Sequence, residues 1–308
     1  MIARKIAFSA AGVTMVASAV LASAASAKDE PLVLRPSTEW NLQFAEDSCR
    51  LQRFFGEGKD RVALVIDQYE PGDLFSMVVA GRPVKKLGRT AKPSPVSIQF
   101  GPSDASFEPE AWFGDLGELK PAAIFMYAVL GPWTAEQRGE PAAEQGDETI
   151  DVLARGFTAE DAARIEWLEL KKNKSIRLAT GPMGETVKGL QICMADLMAR
   201  WGLDVEAHRK LTRRAQPLND IDDWLLDRDY PIMAVRAGSQ GMVHYRLIVD
   251  EHGKPVDCSI QGATEPADFS KVTCARLIRR AEFEPALDAE GQPIKSVFLS
   301  SVSFVIDW

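Results

Sequence analysis

The chain has 308 residues, a formal net charge of −8 and a hydrophobic fraction of 46%. That apolar content over such a length can bury an ample core, most naturally as two domains. The acidic balance argues against a nucleic-acid partner, which needs a basic footprint.

Arg4 and Lys5 begin a positive segment, Ile6 to about Leu21 is largely apolar, and Ala25-Ser26-Ala27 fits the small-x-small cleavage rule just before Lys28-Asp29-Glu30. Residues 1–27 therefore read as a signal peptide cut between Ala27 and Lys28, which places the mature protein in the periplasm. The alternative is an uncleaved inner-membrane anchor, since about 20 apolar residues just span a bilayer; only then does the chain contact a membrane. Cleavage removes two positive charges and moves the net charge from −8 to −10.

From residue 28 to about 205 the pattern is that of an α+β domain, a meander of strands followed by two helices. Trp40–Ala45, Cys49–Phe55, Arg61–Tyr69, Phe75–Gly81, Val96–Phe100 and Ala123–Leu130 read as short strands, with a turn at Pro71-Gly72-Asp73. Gly131–Glu148, rich in Pro, Gly and Glu, reads as a flexible loop. Thr158-Ala159-Glu160-Asp161 has the form of a capping box and opens a helix with Ala163, Trp167 and Leu170 on one face. Ser175–Thr180 follows as a strand and Lys188–Trp201 as the second helix. Residues 206–228 are basic from His208 to Arg214 and acidic from Asp220, which suggests a solvated linker; a basic foothold on anionic lipid is the alternative. Asp220–Asp227, around Trp224 and Leu225, reads as a short docking helix.

The last eighty residues form a second pattern, over 229–308. Val243, Tyr245, Leu247 and Val249 alternate with His244, Arg246, Ile248 and Asp250, with one slip at Ile248. Asp250-Glu251-His252-Gly253 supplies turn chemistry, and Val256, Cys258 and Ile260 alternate on the return strand. In Asp268–Glu282, Cys274, Leu277, Ile278 and Ala281 make the apolar face of a helix. Pro285 stops it, Gly291 turns the chain, and Val297–Ile306 is the final strand.

Tyr230-Pro231, the Gly241–Val249 strand, the glycine hairpin, Phe283-Glu284-Pro285-Ala286, Gly291 and the last strand together resemble the C-terminal domain of TonB proteins. The resemblance covers roughly residues 225–308. It implies a module that pairs, by strand addition, with an extended peptide such as the N-terminal box of an outer-membrane transporter, and so a role in transport across the envelope. The implied edge is Val297, Phe298, Leu299, Ser300, Ser301, Val302 and Ser303. Its serines either blunt self-aggregation of an open edge or are solvent-facing positions of a covered strand. Use of the same fold for homodimerisation or envelope assembly is the alternative function. The chain departs from the family's energy transducers in having no histidine before His208, no long Pro-Lys and Pro-Glu tract, and Asp227-Arg228-Asp229 where the best-known members carry glutamines.

Four cysteines in an exported chain suggest two disulfides. Cys258 and Cys274 point into one small core, which leaves Cys49 with Cys193; buried free thiols are the alternative. The cysteines lack the tight clustering of a metal site, and no cofactor is indicated. There is no Gly-x-Ser-x-Gly elbow and no Gly-x-x-x-x-Gly-Lys phosphate cradle, so enzymatic activity is not expected. Glu108, Glu110, Asp115 and Glu118 around Trp112 leave a sugar-binding cleft open as an alternative to a solvated acidic loop. Intact mass of protein from the soluble envelope fraction is expected to give a chain beginning at Lys28. A Met1 chain recovered from the inner membrane would instead establish the anchor.

Overall fold

A computed structural model of the protein describes residues 30–72, 74–88, 93–103, 106–129, 158–263 and 267–306. The cleavage point at Ala27 and Lys28 and the loop expected over Gly131–Glu148 lie outside the described residues. The first half contains strands β1 (Leu32–Leu34), β2 (Asn41–Phe44), β3 (Cys49–Phe55), β4 (Val62–Gln68), β5 (Leu74–Ala80), β6 (Ser94–Pro95), β7 (Ser97–Gly101), β8 (Ser106–Phe107), β9 (Glu110–Leu116) and β10 (Leu119–Val129). After them come α1 (Ala159–Ala162), β11 (Trp167–Lys171), β12 (Ser175–Leu178), α2 (Gly184–Arg200) and α3 (Val205–His208). The second half contains β13 (Gln216–Pro217), α4 (Ile232–Ala237), β14 (Gly241–Val249), β15 (Pro255–Ala263), α5 (Asp268–Arg280), β16 (Phe283–Glu284), β17 (Ala286–Leu287), β18 (Pro293–Ile294) and β19 (Ser296–Phe304). The fold is α+β.

Alternation dictates the first half. Cys49, Leu51 and Phe55 on β3, Val62, Leu64 and Ile66 on β4, and Phe75, Met77 and Val79 on β5 are all buried, two residues apart or nearly so. Each fully buried Leu, Ile or Phe contributes roughly 1.5–3 kcal/mol. These strands belong to an antiparallel sheet ordered β2-β3-β4-β5-β10-β9-β6. A second sheet, ordered β1-β12-β11-β7-β8, shares its core. Helix α2 packs on β2 and β3 through the stripe Val187, Leu190, Met194, Leu197 and Met198, and Cys193 on that stripe is bonded to Cys49.

One element differs from expectation. The capping box at Thr158 is formed, with the Asp161 N–H donating to Thr158 Oγ1 at 3.1 Å, yet it opens only the single turn α1. Trp167 and Leu170 lie on strand β11, not on a helix. The sequence around them fits either period, because Leu168 and Leu170 also alternate inward, and β7 and β12 offer β11 a ladder on both sides. Tertiary pairing decides it.

The segment expected to be a solvated linker is packed. His208, Ala215 and Trp224 are buried, β13 pairs with β16, and Arg213 reaches Glu284 at 2.8 Å. Two of its arginines meet carboxylates from outside the segment, since Arg214 also stands 3.8 Å from Glu70 of the first half. From Pro31 onward the chain forms one compact unit.

In the second half β14 is the central strand of the sheet β15-β14-β19, and α5 lies across one face. The buried stripe of α5 is Phe269, Thr273 and Leu277; Ile278, expected on it, is 39% exposed and Cys274 only half-buried. The helix is rotated so that Phe269 stacks on Phe304 at 4.1 Å, and Thr273 is tolerated there because its hydroxyl donates to the Phe269 carbonyl at 2.8 Å. Val256, expected to share the inner face with Cys258, is exposed at a bulge where the register shifts between Ile248 and Val249.

Cys258 is bonded to Cys274 across a sequence separation of 16, and Cys49 to Cys193 across 144. The two bonds close loops of very different length, so their removal should cost different amounts. Urea denaturation should show a loss of about 3 kcal/mol for the Cys258→Ser/Cys274→Ser pair and about 4–5 kcal/mol for Cys49→Ser/Cys193→Ser.

Candidate functional site

The outer edge of β19 is positioned by two aromatic clusters. At its C-terminal end Phe304 lies between Phe269 and Tyr230, with ring centroids 5.4 Å apart for the Tyr230–Phe304 pair. The Tyr230 hydroxyl donates to the Ser239 carbonyl at 2.6 Å, which closes the loop carrying α4 against the strand. Near its start Phe298 meets Trp224 and Phe283, at 6.0 and 4.8 Å. Trp224 donates its indole N–H to Asn219 at 2.7 Å, and Asn219 in turn donates to the Arg280 carbonyl at 2.9 Å. Residues outside the strand motif thus hold the strand.

Register fixes what faces where. Phe298 opposes Leu247, Ser300 opposes Tyr245 and Val302 opposes Val243, so these three share the face that α5 covers. Val297, Leu299, Ser301 and Ser303 take the other face. Val297 packs on the core of the first half, while Ser303 is exposed. Laterally, β19 has β14 as its single strand neighbour among the described residues. Its far side is a sheet edge, and Val297–Ser303 lie along it.

The second face of the sheet is also covered. Arg246 on β14 is 2% exposed, donates to Asp47 at 3.0 Å and to Ser259 at 2.9 Å, and lays its guanidinium 3.8 Å over the Trp201 ring. Ile248, read in the sequence as a slip, is buried in the core of the first half. It belongs to a strand with two buried faces.

The hairpin tip is held by the Asp250 carboxylate. Asp250 accepts from the N–H groups of His252 and Lys254 at 3.0 and 2.8 Å. Gly253 takes φ +78°, and a Cβ there would sit 1.8 Å from the Phe283 carbonyl oxygen. The glycine therefore serves the docking of Phe283 as well as the turn.

Asp227-Arg228-Asp229 forms a short 3-10 turn in which Asp227 and Arg228 are exposed and Asp229 is buried. The Asp229 carboxylate is bonded by Arg280, accepts the Leu226 N–H at 3.0 Å and lies 2.7 Å from Arg276 Nε. The Arg280 hydrogen bond holds its pKa at about 2, well below the usual carboxylate range, against the opposing effect of burial. Asp229 therefore clamps the turn to α5. Neither arginine nor Asn219 was singled out by pattern, because their roles depend on partners more than 45 residues away.

Elsewhere, His208 is buried on α3, His244 half-buried on β14 and His252 exposed in the hairpin. Glu108, Glu110, Asp115 and Glu118 are exposed, and Asp115 pairs with Lys120 at 3.5 Å. Among the described residues no group of three or more His, Cys, Asp or Glu is placed to hold a metal ion. No helix among them is long and apolar enough to cross a membrane.

A three-stranded sheet whose outer strands β15 and β19 each have β14 as their one strand neighbour among the described residues, backed by a single helix, defines a small α+β protein-interaction module. Residues 227–306 match the family model of the Gram-negative bacterial TonB protein C-terminal, so this module is a TonB C-terminal domain, and the match spans about a quarter of the chain. That family is associated with the cell envelope and acts through protein interaction. A search of curated proteins finds no match to the chain.

The depressed Asp229 pKa carries a stability signature. Stabilisation by the carboxylate is complete above its unfolded value near 4 and is lost as pH falls toward 2. Asp229→Asn should cost about 2 kcal/mol at pH 7, less than the ~3–5 kcal/mol of a fully buried pair because both arginines keep contact with water. Denaturation curves of the two proteins should converge as pH drops from 4 toward 2.

Proposed function

We propose that this is an exported, periplasmic envelope protein that binds an extended peptide by strand addition along Val297–Ser303 of β19. The carrying observation is the place of β19 at the end of its sheet, with β14 as its single strand neighbour among the described residues. Main-chain N–H and C=O groups along that edge would give affinity, and side chains on alternate faces would give selectivity. In this reading residues 229–308 are the binding unit and residues 28–205 a brace.

The brace has a physical purpose. Arg246, Ile248 and Val297 are fixed against the first half, so the receiving strand is ordered before the peptide arrives and little is spent on ordering it. A peptide taken from the N-terminal box of an outer-membrane transporter is the partner that the family match favours. Asp227 and Arg228, exposed just before Tyr230, would meet charge or water rather than a side-chain amide ladder.

Successive main-chain N–H groups of a strand point to opposite edges. Of Ser300→Pro and Ser301→Pro, one therefore removes an outward donor and leaves the β14 ladder intact. That variant should melt as the parent does and bind synthetic transporter-box peptides at least tenfold more weakly by titration calorimetry, whereas its neighbour should lose stability. Unchanged affinity in the folded variant would sink strand addition at this site. A concentration-dependent dimer lost in the same variant would assign the edge to a second copy.

A further inference from the structure

Between the β4–β5 turn, helix α2 and the first residues of β19 lies a cleft of about 450 Å³. That volume falls in the roughly 300–1,000 Å³ range of small-molecule sites. Phe75, Val187, Leu190, Met194, Met198 and Val297 supply apolar wall. The methionines, unbranched and polarisable, suit a wall that adapts to its occupant.

Three polar residues on the lining are at least nine-tenths buried: Glu70 and His208 at 9% exposure and Ser296 at 2%. His208 Nε2 and Ser296 Oγ have no hydrogen-bond partner among the described residues. Buried polar atoms are rarely left so. The state of the imidazole follows from its other nitrogen. Nδ1 lies 2.6 Å from the Asp204 carbonyl oxygen, which can only accept, so Nδ1 carries the proton. Nε2 is then a bare acceptor, and burial, which pushes the imidazole below its usual range, keeps it so at neutral pH. Burial pushes the Glu70 carboxyl above its usual range, and Arg214 stands 3.8 Å away, beyond hydrogen-bond range. Each arginine on the lining gives one of its N–H donors to the protein itself, Arg214 to the Pro71 carbonyl at 3.3 Å and Arg209 to Glu206 at 3.1 Å.

We infer that this cleft binds a small amphipathic molecule that presents a hydrogen-bond donor, an N–H or hydroxyl, from an apolar body, with His208 Nε2 taking the donor. An anionic head group is disfavoured at this point, because it would set acceptor against acceptor at His208 Nε2. The site adjoins the proposed peptide edge at Val297, and its test reads a different ligand.

N-phenyl-1-naphthylamine, an uncharged aromatic amine whose fluorescence rises in apolar surroundings, is the probe. Its counterpart 8-anilino-1-naphthalenesulfonate has the same ring body and adds a sulfonate. Titrated into the mature chain, the amine should bind saturably at one site and at least tenfold more tightly than the sulfonate. Ala195→Trp, which puts an indole into the cleft from α2, should abolish that binding. Gln191→Trp, from an exposed position on the same helix, does the same should the first variant fail to fold. His208→Phe, with an unaltered near-ultraviolet dichroism spectrum, should weaken the amine about fivefold, the worth of one hydrogen bond. Absence of saturable binding, equal affinity for the sulfonate, or binding unaffected by the tryptophan variants would overturn the site. Unchanged affinity in a folded His208→Phe variant would overturn the donor assignment.

Discussion

Strand β14 is buried on both faces, and most of the C-terminal half depends on that. On one side Tyr245, Leu247 and Val249 meet Trp224, Leu277 and Phe283. On the other, Ile248 enters the core of the first half and Arg246 is sandwiched by Asp47, Ser259 and Trp201. A three-stranded sheet backed by one short helix has little apolar area of its own. The first half supplies the missing layer, so a segment that could have been a tether is instead folded into the packing between Pro217, Trp224 and Arg280.

Local signals carried much of this. The hairpin, its glycine, the Asp268 helix and the last strand were legible because each is written in neighbouring residues: alternation, a turn tetrapeptide, a 3.6-residue stripe. The two disulfides follow from the same periodicities, since Cys258 and Cys274 fall on facing stripes and Cys49 and Cys193 remain. The candidate edge was legible by resemblance and by its place as the final strand.

What was not legible depends on distant partners. Ile278 scores as apolar as Phe269 on any scale, but only the position of Phe304 decides which of them turns inward. Trp167 and Leu170 fit a helix until β7 and β12 are in place on either side of them. Basic residues from His208 to Arg214 look solvated until Glu70 and Glu284 arrive from 138 or more positions upstream and about 70 downstream. Composition describes a segment's preferences in water, whereas these residues answer to surfaces that the segment cannot encode.

The coverage of β14 also constrains symmetry. The sheet face that Arg246 and Ile248 occupy is already filled by the same chain, and the opposite face by α5, so neither is free to make a face-to-face pair with another copy. What is left to self-association through this sheet is lateral, along β15 or β19; through β19, two edges would meet side by side about a two-fold axis, antiparallel, each satisfying the other's main chain. A homodimer built that way and a complex with a foreign peptide would compete for the same row of amides, and assembly would be written as mutually exclusive states of one strand.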